Sequence, residues 1–296
     1  MKGFFHGSAT ALITPFTETG VNFDTLGKLI EYQIEGGTDA IVFLGTTGEP
    51  STMSQEEKLS VMEYAVKTVN HRAKVIIGCG SNHTAKAVEA AKTAELLGAD
   101  GLLAVTPYYN KCTQNGLVAY YKAICEAVSI PVIAYSVPGR TGVEILPATM
   151  AKIAEIPNIA GIKDAAGNMA HTMETFRLVR EKCDVYSGED ALNFPILACG
   201  GAGVISVLSN IVPAEVKKLY TLVKAGKLAE AAAQNDKLLP LANACFVEVN
   251  PIPVKEAMNV MGYDAGVPRA PLTKIEDANR EKLVAAMKAF GVEIKA

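Results

Sequence analysis

Short apolar runs alternate with helix-like segments along most of this chain. The runs are rich in β-branched residues and have the length of strands, and they predict eight strands, at 9–13, 40–44, 74–78, 101–106, 131–135, 159–163, 184–187 and 203–207. The segments between them carry helix signals, such as the capping box Ser54-Gln55-Glu56-Glu57 and a helical pattern over 85–97 that stops at Gly98. Strands that are apolar on both faces are typical of a parallel sheet covered by helices. Eight β/α units without a break in composition therefore predict a (β/α)8 TIM barrel over residues 1–210.

The pattern changes after Asn210, where the strand-like runs end. Pro213 predicts the start of a helix that ends near Gly226, and alanine- and leucine-rich segments follow it. We therefore expect a helical C-terminal extension over residues 211–296. Because proline restricts its own backbone and that of the preceding residue, Asn250-Pro251-Ile252-Pro253 predicts a non-helical elbow between two helices.

Charge and hydropathy argue against two classes of partner. With 28 basic and 31 acidic side chains the net charge is −3, and the chain has no basic block of the kind that binds nucleic acid. The most apolar long stretch, 195–209, is too short to span a membrane and is interrupted by glycines. The residues after Lys2 lack the apolar segment of a secretory signal. We expect a cytoplasmic protein that binds neither nucleic acid nor membranes.

The sequence lacks the usual motifs for binding a metal or a cofactor. The six cysteines are far apart and form no C-x-x-C pair, so they are predicted to be reduced core thiols without a disulfide or zinc site. The four histidines show no ligand spacing. A dinucleotide fingerprint, a Walker sequence and a Gly-x-Ser-x-Gly elbow are all missing from the sequence. We therefore predict no cofactor and no metal.

Polar residues concentrate where the predicted strands end. In a barrel, the loops that follow the strands build the functional site at one face. Lys163 closes the sixth strand. The other strand ends supply Gly45-Thr46-Thr47-Gly48-Glu49, Thr106-Pro107-Tyr108-Tyr109-Asn110, Tyr135-Ser136-Val137-Pro138-Gly139-Arg140, Ser187-Gly188-Glu189 and Ile205-Ser206. We expect these groups to meet at one mouth.

Lys163 carries the main chemical hypothesis. A buried amine has a lowered pKa and can attack a carbonyl carbon, whereas an ordinary lysine at a strand end would snorkel to water or pair with a carboxylate. A Schiff base also needs a proton carrier, and Tyr135 on the neighbouring strand suits that role, with a relay through Thr46 and a second tyrosine. Tyrosines at barrel ends are also common packing residues, so the residues alone leave both interpretations open.

Two groups near the same mouth suit carboxylates. Backbone N–H groups of the Gly-Thr-Thr-Gly turn can hold a small carboxylate, and Arg140 can bind a second one bidentately. The alternative is that this sequence is only a tight turn.

In combination, these motifs resemble the class I, Schiff-base aldolase superfamily, and within it the dihydrodipicolinate synthase family. The resemblance covers nearly the whole chain and rests on 11–16, 45–49, 106–110, 161–164 and 250–255. It rests most on Pro138-Gly139-Arg140-Thr141-Gly142, because sialic acid lyases of the superfamily lack that pattern. A sugar-acid lyase of the N-acetylneuraminate type remains the alternative enzyme, and a binding protein on an inactive barrel is the alternative outside enzymes.

The resemblance implies a role for each matched residue. Lys163 would form an imine with pyruvate, and the enamine would attack L-aspartate 4-semialdehyde to give 4-hydroxy-tetrahydrodipicolinate, the entry to diaminopimelate and lysine synthesis. Tyr135, Thr46 and Tyr109 match the proton relay, with Tyr109 reaching into a neighbouring subunit. The positions that match substrate contacts are Thr47 for pyruvate, Arg140 for the aldehyde's carboxylate, and Gly188 and Ile205 for backbone that lines the site. The family also implies a homotetramer made of two tight dimers.

The chain departs from feedback-inhibited members at the positions that bind lysine as an effector. Five of these positions differ from the family pattern and two remain: Pro50, Ser51, Gln55, Lys58 and Lys86 differ, and Asn82 and Tyr108 remain. A cationic Lys86 in place of a carboxylate repels the effector's ammonium groups. We predict weak or absent inhibition by lysine, the alternative being that lysine binds in another pose.

Two further departures flank the proposed catalytic pair. Asp164 stands where glutamate is usual, and Ser136 stands where asparagine is usual. Alternation along a strand turns both side chains away from Lys163 and Tyr135, so we expect little effect on the chemistry.

Overall fold

Eight parallel strands close into a barrel in the computed structural model, which describes residues 2–295. Each strand pairs with the next along the chain, and the last strand pairs with the first. The strands are β1 Gly7–Ala11, β2 Ala40–Phe43, β3 Lys74–Gly78, β4 Gly101–Val105, β5 Val132–Ser136, β6 Ile159–Asp164, β7 Asp184–Ser187 and β8 Gly203–Ser206. The predicted (β/α)8 barrel is confirmed, and every strand begins and ends within two residues of its predicted bounds.

Helices follow the strands and surround the barrel. Within the described residues they are α1 Phe23–Glu35, α2 Gln55–Val69, α3 Thr84–Leu96, α4 Gln114–Cys125, α5 Pro138–Thr141, α6 Pro147–Ile153, α7 Met169–Val179, α8 Asn193–Ala198, α9 Pro213–Lys224, α10 Leu228–Ala244, α11 Ile252–Val260 and α12 Asp277–Phe290. Short 3-10 turns occupy Thr46–Gly48, Pro50–Thr52, Asp190–Leu192 and Leu208–Asn210. The predicted capping box of α2 is confirmed, because the Ser54 side chain accepts from the Glu57 N–H and the Glu57 carboxylate accepts from the Ser54 N–H.

Alternating residues of each strand face two separate cores. On β2, Ala40 and Val42 pack in the barrel interior, whereas Ile41 and Phe43 pack in the larger core between the strands and the helices. This arrangement buries both faces of every strand, which is why the strands are apolar runs without alternation. Polar side chains are left for the loops at the ends of the strands, where the site lies.

The C-terminal helices continue the outer layer. Helix α9 packs against β1, and α10 packs against α9 and α12. The predicted elbow lies between α10 and α11, but the prediction that Ile252 and Pro253 are non-helical is wrong, because α11 begins at Ile252. A proline in the first helical turn loses no intrahelical hydrogen bond.

Two predictions concern the chain as a whole: its relation to membranes and its division into two parts. None of the helices in residues 2–295 has the length and apolar character needed to cross a membrane. The division into residues 1–210 and 211–296 stays a prediction, and Met1 and Ala296, its outermost residues, lie outside the described part of the chain.

Candidate active site

Lys163 lies on β6 with a side chain that is only 4% exposed. Its backbone is in register with that of Tyr135 on β5, and its Nζ lies 4.4 Å from the centroid of the Tyr135 ring. Tyr135 belongs to the cluster that fills the barrel interior. The structure therefore brings the amine and the phenol together at the ends of adjacent strands.

The surroundings of Lys163 favour the neutral amine. The pKa of Lys163 falls from its ordinary value of 10.5 to about 8, mainly because burial disfavours the ammonium and to a smaller extent because of the nearby positive charge of Arg140. The carboxylates of Asp190 and Glu189 oppose this fall. A pKa of about 8 leaves a useful fraction of unprotonated amine near neutral pH, and the unprotonated amine is the nucleophile.

Tyr135 is held in its protonated form. Burial raises its pKa to about 12, although the charge of Arg140 and a hydrogen bond with Thr46 act in the opposite direction. A phenol with this pKa donates a proton only when another group replaces it, so Tyr135 needs a relay. Tyr135 has such a neighbour in the Thr46 side chain, with which it is hydrogen-bonded, and the predicted relay through these two residues stays a prediction.

Gly188 and Ile205 bound the space around Lys163 from the following strands. A Cβ atom at Gly188 would lie 2.8 Å from both Cγ and Cε of Lys163, so this position allows no side chain while the lysine keeps its conformation. Ile205 is fully buried on β8 within the barrel interior. Both predicted lining positions thus lie at the ends of β7 and β8.

The turn after β2 is a short 3-10 helix, Thr46–Gly48, between two residues in left-handed conformations. Leu44 and Glu49 both have a φ of 55°, which is unusual for residues other than glycine. Thr47 is 2% exposed, and its Oγ1 accepts a hydrogen bond of 3.0 Å from Nδ2 of Asn250. The turn therefore holds the Thr46 and Thr47 side chains in defined positions.

Arg140 lies on the short helix α5, directly after β5. Its Nη2 donates a hydrogen bond of 2.9 Å to the backbone oxygen of Asn250, while the residue as a whole is exposed. Its charge acts on both Lys163 and Tyr135, which places the guanidinium at the same mouth. A guanidinium here can bind a carboxylate that approaches from solvent.

Tyr109 is the predicted site residue that the structure of one chain does not bring to Lys163. Its side chain is 90% exposed and its backbone has a φ of 71°. An aromatic side chain this exposed has no packing role within its own chain. The predicted role across a subunit boundary stays a prediction.

The predicted effector positions lie on the elements that follow β2, β3 and β4. Pro50 and Ser51 form a 3-10 turn, and Gln55 and Lys58 lie on the first turns of α2. Burial lowers the pKa of Lys58, and the nearby charge of Lys86 lowers it further, so the two ammonium groups face a common region. The other two positions lie in loops: the Asn82 backbone oxygen accepts from Asn110 at 3.0 Å, and Tyr108 is 38% exposed.

Asp164 and Ser136 point away from the mouth, as predicted. Asp164 Oδ2 accepts from Thr172 Oγ1 at 2.8 Å and lies 3.7 Å from His171 Nδ1, both on α7. Ser136 Oγ accepts from the Ile145 N–H at 3.2 Å. Both side chains therefore tie their strands to the outer layer.

Sequence reasoning missed several residues that support the site. Asp190 lies two residues after Gly188, and its buried carboxylate accepts hydrogen bonds from the side chains of Ser206 and Asn193 and from the N–H groups of Val207 and Leu208. It thereby joins the end of β7 to the end of β8. The position of Asp190 just after a strand end could have indicated from the sequence that it lies near the site. The contacts of Asn250 with Thr47 and Arg140 had no such signal, because they join residues far apart in sequence.

Within residues 2–295, no group of three or more histidine, cysteine, aspartate and glutamate side chains is placed to hold a metal ion. All six cysteines are free thiols in the structure. The groups that the mouth offers for chemistry are an amine, a phenol, hydroxyls, a guanidinium and the carboxylates of Glu189 and Asp190.

Known proteins resemble this chain over nearly its full length. The model of the dihydrodipicolinate synthetase family matches residues 4–290. The 4-hydroxy-tetrahydrodipicolinate synthase of Caldicellulosiruptor bescii is 51% identical over 292 residues, which are 98% of this chain and 99% of that protein.

Solved structures agree with this match. Dihydrodipicolinate synthase from Aquifex aeolicus superposes with a TM-score of 0.96 at 43% identity, covering 99% of this chain and 100% of its own. The chloride-inhibited dihydrodipicolinate synthase from Acinetobacter baumannii, complexed with pyruvate, has a TM-score of 0.95 at 43% identity, covering 98% of this chain and 100% of its own. The resemblance deduced from the motifs is confirmed, and the chain belongs to the dihydrodipicolinate synthetase family.

Proposed function

We propose that this chain is a 4-hydroxy-tetrahydrodipicolinate synthase, which condenses pyruvate with L-aspartate 4-semialdehyde through an imine on Lys163. The observation that carries the proposal is a buried Lys163 with a pKa of about 8, whose Nζ lies 4.4 Å from the centroid of the Tyr135 ring. The family match supports this choice of reaction, as does a relative with this name that is 51% identical in sequence.

The first step forms the imine. The Lys163 amine attacks C2 of pyruvate, and the resulting carbinolamine loses water to give the imine. The departing hydroxyl needs a proton, which Tyr135 donates and then recovers through Thr46. Because the pKa of Tyr135 is about 12, the phenol is protonated at the start of this step.

The second step makes the carbon–carbon bond. Loss of a proton from C3 of the imine gives the enamine, and C3 then attacks the aldehyde carbon of the semialdehyde, whose oxygen takes up a proton. The amino group of the semialdehyde next attacks the imine carbon and releases the Lys163 amine as the ring closes. In this proposal Tyr135, Thr46 and the Tyr109 of a neighbouring subunit form one relay, which carries protons in both directions.

Two groups recognise the substrates' carboxylates in this proposal. Thr47 contacts the carboxylate of pyruvate, and Arg140 receives that of the semialdehyde from the solvent side. Gly188 and Ile205 match backbone positions that line the site, and Gly188 lies close against the aliphatic part of Lys163.

Substrate choice tests the assignment against the lyase alternative. We expect turnover of pyruvate with L-aspartate 4-semialdehyde and none with N-acetylmannosamine. Arg140→Ala should raise KM for the semialdehyde far more than KM for pyruvate. Arg177→Ala is the matched control, because Arg177 pairs with Glu174 on the exposed face of α7. Comparable turnover of N-acetylmannosamine would instead identify a sugar-acid lyase.

We also propose that the enzyme works in the cytoplasm as a homotetramer, a dimer of dimers. Free thiols suit a reducing compartment, and the exposed Tyr109 suits a surface that another subunit covers. Light scattering after size exclusion tests the assembly: a mass of four chains supports it, and a stable, active monomer contradicts it.

We further propose that lysine inhibits this enzyme weakly or not at all. Lys58 and Lys86 both stand at positions that match the effector site, and the charge of Lys86 lowers the pKa of Lys58, so the two ammonium groups are close enough to repel each other and a further cation. Lys86→Glu should therefore increase sensitivity to lysine in an initial-rate titration, whereas the same charge change at the exposed Lys92 of α3 should not. Strong inhibition of the unmodified enzyme by sub-millimolar lysine would refute the proposal.

A further inference from the structure

The elbow before α11 contacts both elements that are proposed to hold substrate carboxylates. Asn250, its first residue, lies 203 positions from Thr47 and 110 from Arg140, yet it is hydrogen-bonded to each. Asn250 is 5% exposed, so both contacts are made within packed structure. One residue outside the barrel strands thus joins two parts of the mouth.

The contact with Thr47 determines how its hydroxyl is oriented. Nδ2 of Asn250 donates to Thr47 Oγ1 over 3.0 Å, so this oxygen acts as an acceptor toward the elbow. The hydrogen of the Thr47 hydroxyl must then point in another direction. A hydroxyl that accepts from behind is prepared to donate forward, which is what recognition of a carboxylate needs.

The contact with Arg140 uses the backbone of the same residue. The Asn250 carbonyl oxygen accepts from Arg140 Nη2 over 2.9 Å. Arg140 is an exposed residue on a helix of four residues, so little else in its own segment restrains it. The carbonyl leaves the other N–H groups of the guanidinium free for a ligand.

The elbow is itself fixed against the Thr46–Gly48 turn. Lys255 Nζ donates to Glu49 Oε1 over 2.7 Å, and the two side chains are 0% and 2% exposed. The second carboxylate oxygen of Glu49 accepts from the Arg269 N–H over 2.9 Å. Separating a buried ion pair is energetically costly, because it leaves an uncompensated charge inside the protein. These contacts attach the turn to the start of α11.

We propose that Asn250 is a positioning residue that aligns the Thr47 hydroxyl with the carboxylate of pyruvate and links this site to Arg140. It touches no reacting atom, and it acts through Thr47. This inference rests on the proposed function. The contact with Arg140 uses the backbone oxygen of residue 250 and not its side chain, so a side-chain variant is aimed at the half of the link that acts on pyruvate.

A double-mutant cycle tests the proposal with the full-length enzyme. Asn250→Ala should raise KM for pyruvate roughly tenfold, which corresponds to one lost hydrogen bond, with a smaller change in kcat and in KM for the semialdehyde. Borohydride trapping at saturating pyruvate should still label Lys163. In a Thr47→Val background, the same substitution should have almost no further effect, since the group through which it acts has been removed. Asn243→Ala, at an exposed position of α10, is the control.

The outcomes distinguish a positioning role for Asn250 from a general structural role. An equal rise of KM for pyruvate in both backgrounds would overturn the proposal and assign Asn250 a general structural role, as would an unchanged KM in the single variant. If Asn250→Ala fails to fold, Asn250→Leu, which has a side chain of similar size but no hydrogen-bond donor, takes its place in the same cycle. Failure of the unmodified enzyme to trap pyruvate would count against the proposed function instead.

Discussion

Two opposing effects set the pKa of Lys163, and with it the reactivity of the amine. Burial lowers the pKa, and nearby carboxylates raise it. Burial alone would suppress the ammonium strongly, while Asp190 and Glu189 restore part of its stability. The resulting pKa of about 8 lies between that of a solvent-exposed lysine and that of an amine isolated in an apolar core. A nucleophile with such a pKa is available near neutral pH without losing its basicity.

This balance predicts how imine formation depends on pH. The lowered pKa means that the neutral, reactive amine accumulates as pH rises through about 8, well below the ordinary value of 10.5. The initial rate of borohydride-trapped pyruvate adduct formation, measured between pH 6 and 10 at fixed pyruvate, should rise with an apparent pKa near 8. A rate that continues to rise tenfold per pH unit up to pH 10 would show that Lys163 is not perturbed.

The residues themselves pointed to Lys163 because an apolar run rarely ends in an unpaired cation. Tyr135 followed from its place on the adjacent strand. The influence of Asp190 could not be predicted, because it depends on how the turn after β7 folds back onto the end of β8 through three hydrogen bonds. Sequence indicates which chemical groups are present at strand ends, and folding decides which charges face them.

At the scale of elements, the loops that follow the strands determine how closely their residues approach Lys163. The turn after β7 brings Gly188 against the aliphatic part of Lys163. Gly188→Ala would place a Cβ 2.8 Å from Lys163 Cγ and Cε and 3.0 Å from the Asp164 backbone oxygen. The amine must then move, so we expect a large loss of kcat with a modest fall in Tm.

A second glycine at the same mouth provides the comparison for this variant. Gly139 on α5 has no atom within 4 Å of the place where a Cβ would stand. Gly139→Ala should therefore keep near-normal activity. Equal activity of the two alanine variants, measured under saturating substrates, would mean that the approach of Gly188 to Lys163 is not required.

Helix α7 is attached to the end of β6 by a charged contact. His171 Nδ1 lies 3.7 Å from Asp164 Oδ2, and Nε2 lies 3.7 Å from Glu144 Oε1. The Asp164 carboxylate raises the pKa of His171, while burial opposes this rise. Because the folded pKa is raised, the stabilisation is complete below the unfolded value and is lost as pH increases through the folded value.

Thermal unfolding at several pH values tests this contact. We expect the difference in Tm between the unmodified chain and His171→Gln to be largest at pH 6 and to shrink by pH 9. The hydrogen bond between His171 Nε2 and the Ile145 carbonyl oxygen should preserve part of the difference. A difference that grows with pH would contradict the assigned sign.

The strands, the start of α2 and the bounds of α3 and α9 could be predicted from the sequence, since apolar runs and capping residues act locally. The start of α11 could not, because the rule that proline interrupts helices does not apply to the first turn, where Ile252 and Pro253 lie. The contacts of the elbow with Thr47 and Arg140 also escaped prediction. They depend on the path of the chain around the finished barrel.

For the whole molecule, the proposed role of Tyr109 in a neighbouring subunit would make the site depend on assembly. Its exposed side chain and left-handed backbone present an aromatic group away from its own chain. If Tyr109 completes the relay of a neighbouring subunit, two inactive variants can complement each other. A mixture of Lys163→Ala and Tyr109→Phe chains, dissociated and reassembled together, should be more active than either variant alone.

The reason is that a mixed dimer contains one site with both native residues. The Tyr109→Phe chain supplies Lys163, and the Lys163→Ala chain supplies Tyr109. Reassembly of each variant separately is the control. If mixing restores no activity although mixed dimers form, Tyr109 does not act across the subunit boundary.

The proposed mechanism as a whole depends on a covalent bond at one residue. Borohydride reduction in the presence of pyruvate, followed by mass mapping of the peptides, tests it most directly. We predict a single reduced pyruvyl adduct on Lys163, none in Lys163→Ala, and none without pyruvate. Full synthase turnover without an adduct at Lys163, or an adduct on another lysine, would contradict the mechanism.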